Sequence, residues 1–428
     1  MKILSTQQES IASIVAQIRS QRSAPEDVTQ AVNEILQAVK TDGDRALVEL
    51  TERFDNVKLT TENLQVSRDE TAEAYQMCDP KVIDALKRAR KNIEIFHTKT
   101  FTRKNKVVES ENGVEVWREF RPIEKVGLYV PGGKAVYPST VLMLGTPARI
   151  AGCGEIVMCV PPMSNGSINP SVLVAADLCG IRKIYKVGGA QAIGAMAYGT
   201  ESIPKVSKIF GPGNQYVTTA KMLVYGEVAI DMPAGPSEVA VIADEKANPA
   251  WIAADLLSQL EHGADSQAIL ITFSEKFARV IIAEMVKQMN VLPRKNIIEK
   301  SFSKSFAVVV RGNDEACDII NEYAPEHLEI ATADESNLAK KINNAGSIFL
   351  GPYSTEPLGD YVTGANHTLP TSGFAKMFAP LSTESFGKMI QFQKISLTGI
   401  QNLRNAAETL AACEGLDAHK NAVTIRFL

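Results

Sequence analysis

Histidine is scarce in this chain, with five among 428 residues. Four of them sit in polar stretches bounded by probable loops: His262 in Gln259-Leu260-Glu261-His262-Gly263, His327 in Ala324-Pro325-Glu326-His327-Leu328, His367 in Gly364-Ala365-Asn366-His367-Thr368, and His419 in Asp417-Ala418-His419-Lys420. Each has a carboxylate or an amide within a few residues. Imidazole titrates near neutrality and is the commonest protein metal ligand, so these pairings suit acid–base work or metal binding. Singly, each is more often a satisfied surface or core histidine. Together they are nearly the whole supply, which points to one shared site. His97 has no such neighbours and reads as structural.

Gln259 and His262 lie three apart at the end of an amphipathic helix, so they share a neighbouring face. Asn248-Pro249 starts that helix, Gly263 is placed to end it, and Ile252, Leu256 and Leu260 recur at helical spacing. An amide oxygen and an imidazole there could be two ligands of a metal, although a histidine at a helix end is more often a dipole partner. Asp360, near Gly359 and Gly364 on a probable loop, is a carboxylate candidate; the common alternative is a turn aspartate. Imidazole and carboxylate suit zinc, manganese or iron. Glu326-His327 differs in kind. Pro325 stops the preceding helix and the pair enters a strand, where neighbours point to opposite faces. Both reach one cleft only at an irregular strand start, where they could act near pH 7.

Positioning these residues takes a regular scaffold. From Lys125, strands Val126–Val130, Glu155–Val160, Lys183–Val187, Ser207–Phe210 and Val228–Asp231 alternate with helical patterns. The rhythm repeats after Ser237 with strands Val239–Ala243, Ala268–Thr272, Ala307–Val310, Leu328–Thr332 and Ser347–Leu350. Strict alternation predicts an α/β fold: two similar Rossmann-like units with parallel sheets. A helical N-terminal arm (1–24) and a small C-terminal tail domain (381–428) complete it. Residues 25–124 and 238–380 are expected to form the first α/β domain, with most metal and catalytic residues, and residues 125–237 the second. The tail is too short for its own core and should dock elsewhere, for instance on a second subunit.

Glycine-rich turns flank several strands: Pro131-Gly132-Gly133, Gly188-Gly189-Ala190-Gln191, Gly211-Pro212-Gly213-Asn214 and Ala234-Gly235-Pro236-Ser237. Such turns let a ligand approach the backbone, and the helices after them favour anions. They are also ordinary strand–helix loops. GxGxxG, HExxH, P-loop and GxSxG patterns are all absent, against ordinary dinucleotide fingerprints, metalloproteases, NTPases and α/β-hydrolases. With 45 basic and 49 acidic residues, nothing calls for a nucleic-acid or membrane partner. The first 22 residues lack the apolar core of a signal peptide, no apolar run approaches membrane-spanning length, and six scattered cysteines form no CxxC pair. A cytoplasmic protein with reduced cysteines is expected.

Several stretches, in order, carry a resemblance: Gly-Leu-Tyr-Val-Pro-Gly-Gly from residue 127, Val-Gly-Gly-Ala-Gln-Ala-Ile from 187, Ile-Phe-Gly-Pro-Gly-Asn from 209, Ala-Gly-Pro-Ser-Glu-Val from 234, Glu-His-Gly-Ala-Asp-Ser-Gln from 261, Tyr-Ala-Pro-Glu-His-Leu from 323, Gly-Asp-Tyr-Val-Thr-Gly-Ala-Asn-His-Thr-Leu-Pro-Thr from 359, and His-Lys-Asn-Ala-Val-Thr from 419. With them the chain resembles the histidinol dehydrogenase family. The resemblance implies a zinc-containing enzyme that oxidises L-histidinol to L-histidine through the aldehyde with two NAD, as the last step of histidine biosynthesis. It implies zinc on Gln259, His262, Asp360 and His419, with Glu326 and His327 as the acid–base pair. Ser237, His367 and Glu414 would contact substrate together with His327 and the metal ligands, and Tyr129, Gln191 and Asn214 would line the NAD site. It also implies a homodimer whose C-terminal segment, with Glu414 and His419, completes the partner's site. From the residues alone, a zinc-dependent hydrolase of a small amine or amide is the competing expectation.

Overall fold

Short apolar runs followed by capped helices, repeated along the chain, build two parallel sheets. The computed structural model describes residues 1–22, 27–132, 136–233 and 235–428; Ser23-Ala24-Pro25-Glu26, whose residue types read as a helix start, lies outside the described residues, as do Gly133 and Ala234 of the glycine turns. In chain order the strands are β1 (Lys2–Ser5), β2 (Val108–Glu111), β3 (Val114–Pro122), β4 (Lys125–Tyr129), β5 (Glu155–Cys159), β6 (Lys183–Tyr185), β7 (Lys208–Phe210), β8 (Ala229–Ile230), β9 (Glu238–Ala243), β10 (Gln267–Thr272), β11 (Phe306–Val309), β12 (His327–Ala331), β13 (Ser347–Leu350) and β14 (Gly387–Ile395).

One sheet runs β6-β5-β4-β7-β8 and the other β1-β11-β10-β9-β12-β13, with every pairing parallel. Counted from its own first strand, each unit has the doubly wound order 3-2-1-4-5, with β1 added beside β11. The expected pair of similar Rossmann-like units is present. Every residue of β9 and β10 is buried, as strands covered on both faces must be.

Two segments differ from expectation. The N-terminal arm is not wholly helical: Lys2–Ser5 pairs in parallel with β11, and only Ile11–Ser20 is helix, capped by Ser10 and burying Ile14, Val15 and Ile18. Four residues are too few to display a two-residue period, so the strand is invisible in the sequence. The helices after residue 27 do not join the six-stranded sheet as grouped above. Val32, Leu36, Val39 and Leu47 pack with Tyr129, Val157 and Ile193, while Leu86, Ala89 and Ile93 pack with Val141, Leu144 and Ile184. They cover the two faces of the five-stranded sheet. Periodicity shows that a helix has an apolar face but not which sheet that face covers.

The Asn112-Gly113 turn joins β2 and β3, and β14 pairs antiparallel with β3 from Gly387↔Pro122 to Ile395↔Val114. Helices Leu397–Cys413 and Asp417–Thr424 follow, and Gly399 is the only buried residue in the two. Leu397, Leu410, Leu416 and Ile425 are exposed there. His97 is buried, with Nδ1 3.4 Å from Thr383 Oγ1, and burial lowers its pKa to about 4; it packs as a structural histidine. Among the described residues no helix is long and apolar enough to cross a membrane.

Candidate active site and metal centre

Helix Asn313–Tyr323 ends on Ala324 in the left-handed region (φ 55°), and Pro325 forbids its continuation. The chain reverses there, and Glu326 and His327 meet the sheet at the amino ends of β9 and β12. Glu238 N donates to Glu326 Oε2 (2.9 Å), and Glu238 O lies 3.3 Å from His327 Nδ1. Glu326 is thus drawn sideways towards β9 and His327 stands beside it, Nδ1 to Oε2 3.7 Å. Both are buried. This is the irregular strand start that a shared cleft requires.

Asn248 caps helix Pro249–Leu260 by accepting from Ala250 N (2.9 Å). At its other end Ser301, on the helix Lys295–Ser303, donates to Leu260 O (2.8 Å) and holds the last turn. Gln259 is buried and its Oε1 has no hydrogen-bond partner among the described residues. His262 is exposed just beyond the helix, with Nδ1 3.2 Å from Ser258 O.

Asp360 is not on a loop. Thr355 and Pro357 start a short helix, Glu356–Tyr361, which puts Glu356 and Asp360 four apart on one face. Ser258 Oγ donates to Glu356 Oε2 (3.2 Å) and Thr355 Oγ1 to Asp255 Oδ1 (2.7 Å), pinning this helix to the one that bears Gln259. Asp360 Oδ1 lies 3.5 Å from His327 Nε2. His327, Glu356 and Asp360 each offer a ligand atom within 4.8 Å of the others. His367 bridges the two units: Nδ1 is 3.1 Å from Asp360 O and Nε2 is 3.3 Å from Thr140 Oγ1, at the start of helix Pro138–Ala151.

Burial and mutual charge dominate the electrostatics. Burial raises Glu326 to about 8, against the pull of His327. Burial alone would lower His327, but Glu326, Asp360 and Glu356 outweigh it and hold the imidazole up to about 10. Burial and the charge of Asp360 raise Glu356 to about 8. Asp360 is lowered: burial opposes its ionisation, but the hydrogen bond from His327 and the charges of His367 and His327 prevail. A buried cluster so rich in carboxylates favours a cation. His327, Glu356 and Asp360 together offer an imidazole nitrogen and two carboxylates, a nitrogen–oxygen donor set that suits a divalent transition metal. Engaging Asp360 would also remove part of the negative charge that, with Glu326 and Glu356, raises His327.

Tyr129, Gln191 and Asn214 lie elsewhere, in a cavity of about 640 Å³ that also takes in Pro161, Gly189 and Tyr216. It opens at the carboxyl ends of β4 and β7, where the strand order of that unit reverses, the usual ligand crevice of such sheets. Tyr129 OH accepts from Gly189 N (3.1 Å), and burial pushes its phenol up to about 12, so it stays neutral. Gln191 Oε1 is buried without a hydrogen-bond partner among the described residues, and Asn214 Oδ1 caps helix Gln215–Leu223. Gly211 has φ +123° and a Cβ there would collide with Tyr129 O, so only glycine closes this rim. A second cleft of about 500 Å³, lined by His262, Tyr137, Ser139, Leu142, Arg294 and Tyr361, runs between the units.

The single chain thus gathers Gln259, His262, Glu326, His327, Asp360 and His367 at one end of the six-stranded sheet, with Ser237 just before β9. It does not bring in Glu414 and His419, both exposed on the C-terminal helices. Sequence reading missed Glu356 and Glu238. The signal for Glu356 was present, since Thr-Glu-Pro is a helix start that puts a carboxylate one turn before Asp360. Nothing local marks Glu238.

A family model described as histidinol dehydrogenase matches residues 18–427. A histidinol dehydrogenase of Bacteroides fragilis is 52% identical over 402 residues, covering 94% of this chain and 93% of that protein. One of Methanocaldococcus jannaschii is 48% identical over 401 residues, covering 94% and 93%. The crystal structure of histidinol dehydrogenase from Elizabethkingia anophelis superposes with a TM-score of 0.96 at 46% identity, covering 100% of this chain and 98% of that one.

Proposed function

The chain belongs to the histidinol dehydrogenase family, and from that premise we propose that it oxidises L-histidinol to L-histidinal and then to L-histidine, passing two hydrides to NAD. The observation that carries the reading is the buried Glu326-His327 pair set against Asp360, whose helix is pinned to the one that bears Gln259. Gln259, His262 and Asp360 would hold a zinc ion, with His419 of a second chain as the fourth ligand. Bound there, zinc supplies a template that orients the imidazole and amine of the substrate. Ser237, His367 and Glu414 would contact the same molecule, and Tyr129, Gln191 and Asn214 would bind the NAD that accepts the hydrides.

The residues then divide the proton chemistry. In the first oxidation the carbinol loses a hydride to NAD and its hydroxyl proton to neutral His327. The aldehyde must add water before a second hydride can leave, and Glu326 takes the proton of that water. Burial keeps bulk water from competing for either group.

The direct test mixes the protein with histidinol and NAD and follows NADH absorbance, with and without a chelator. Two NADH per histidinol are expected, lost on metal removal and restored by zinc. Histidinol consumed without NADH would overturn the reading in favour of a hydrolase.

We further propose that residues 381–428 serve a partner chain in a homodimer. Leu397, Leu410 and Leu416 are exposed beside Glu414 and His419, a combination that suits burial against another copy. Mixing an inactive Glu326 variant with an inactive His419 variant should restore about a quarter of the wild-type sites after random exchange, because each hybrid dimer holds one intact site. No recovery despite proven subunit exchange would place each site within one chain.

A further inference from the structure

The chain passes between its two sheets three times. It leaves the six-stranded sheet after helix Ile11–Ser20 and reaches the five-stranded sheet at Val28. It returns between β8 and β9, and crosses again between His367, which touches Thr140, and Phe386, which packs with Phe120. Arg22 opens the first crossing, Glu238 closes the second, and Ser372 lies on the third. All three meet at one carboxylate. Arg22 Nε stands 2.8 Å from Glu238 Oε1 and Nη2 donates to Oε2 (3.2 Å), which also accepts from Ser372 N (3.2 Å). The guanidinium lies 4.4 Å from the centre of the buried Tyr323 ring, and Tyr323 OH donates to Gln267 Oε1 (2.9 Å). Ser372 takes the left-handed region (φ 56°), and Gly235 N donates to Thr371 Oγ1, so the second and third crossings are also joined directly.

The same residue faces the catalytic pair through its backbone, with its N–H on Glu326 and its carbonyl beside His327. We propose that Glu238, with Arg22 as its counterion, is a positioning residue: it clasps the three crossings together and transmits that anchorage to Glu326 and His327. The proposal rests on the reading of Glu326-His327 as the acid–base pair. An ion pair this buried costs desolvation and is weak support for stability by itself. It specifies geometry, and small misplacement of reacting groups costs rate steeply.

The test compares Arg22→Met, Arg22→Lys, Glu238→Gln and the double variant Arg22→Met/Glu238→Gln. Each is assayed as zinc-loaded protein for kcat and KM in both half-reactions, melting temperature and zinc content. Arg22→Met and Glu238→Gln should each lower kcat by about 10- to 100-fold, equally for alcohol and aldehyde, because both members of the pair move. KM for histidinol and NAD should stay within about threefold and zinc content unchanged. The double variant should be no worse than the poorer single one, as for residues that act as a unit, and Arg22→Lys should recover part of the loss. A kcat within twofold of wild type, multiplicative losses, or losses that follow melting temperature or zinc content would overturn the proposal. Should Glu238→Gln not fold, the half-buried Arg22 variants decide by the same criteria. Failure of the underlying reading looks different: Glu326→Gln and His327→Asn would then themselves retain kcat.

Discussion

Glu326→Gln is expected to slow aldehyde oxidation by about 100-fold or more while alcohol oxidation falls by less than about 10-fold. The two half-reactions differ in one requirement, the addition of water to the aldehyde. Glutamine keeps the size of the side chain and can still accept from Glu238 N, so the strand start keeps its shape. It cannot take a proton. The alcohol step, which sheds its proton to His327, loses only the electrostatic influence of a neighbour 3.7 Å away. Single-turnover assays begun separately with histidinol and histidinal isolate the two steps. Equal loss in both would remove the assignment of water activation to Glu326.

His262→Asn is expected to strip the metal. His262 is exposed, and its hydrogen-bond contact among the described residues is the local one to Ser258 O, so the substitution costs the fold little. Losing an imidazole from the proposed zinc ligands should weaken zinc binding by at least about 100-fold, more than is typical for an outer-shell partner. Zinc per chain after dialysis should fall to a small fraction, with an unchanged melting curve for the metal-free protein. Activity should return only at high added zinc. Full zinc content in the variant would eliminate His262 as a ligand and leave the group His327, Glu356 and Asp360 as the better description of the centre.

These tests probe residues that were legible to different degrees. Gln259 and His262 could be placed on one helix end because a period of three to four residues is a local property, and the helix Pro249–Leu260 has its start signal and apolar face in the sequence. The strand start at Glu326-His327 was legible for the same reason, since Pro325 constrains its neighbours through sterics alone. Asp360 was placed on a loop because its glycine neighbours outweighed a short helix start. Glu238 was legible only as the residue before an expected strand, and the structure adds it to β9. Its importance lies in partners contributed by three other segments, none close in sequence.

The sequence by itself determined the alternation of strands and helices, the existence of two units, the scarcity of histidine and the short motifs that identify the family. All of these follow from local sterics, periodicity and residue chemistry. Tertiary structure alone decided which sheet the early helices cover, that β1 joins β11, and that Glu238, 88 residues from Glu326, supplies its backbone donor. It also set Thr140 against His367 across 227 residues and Arg22 against Glu238 across 216. Such meetings depend on strand order and register, which minimise exposed apolar surface over the whole chain, and no short window of residues contains that information.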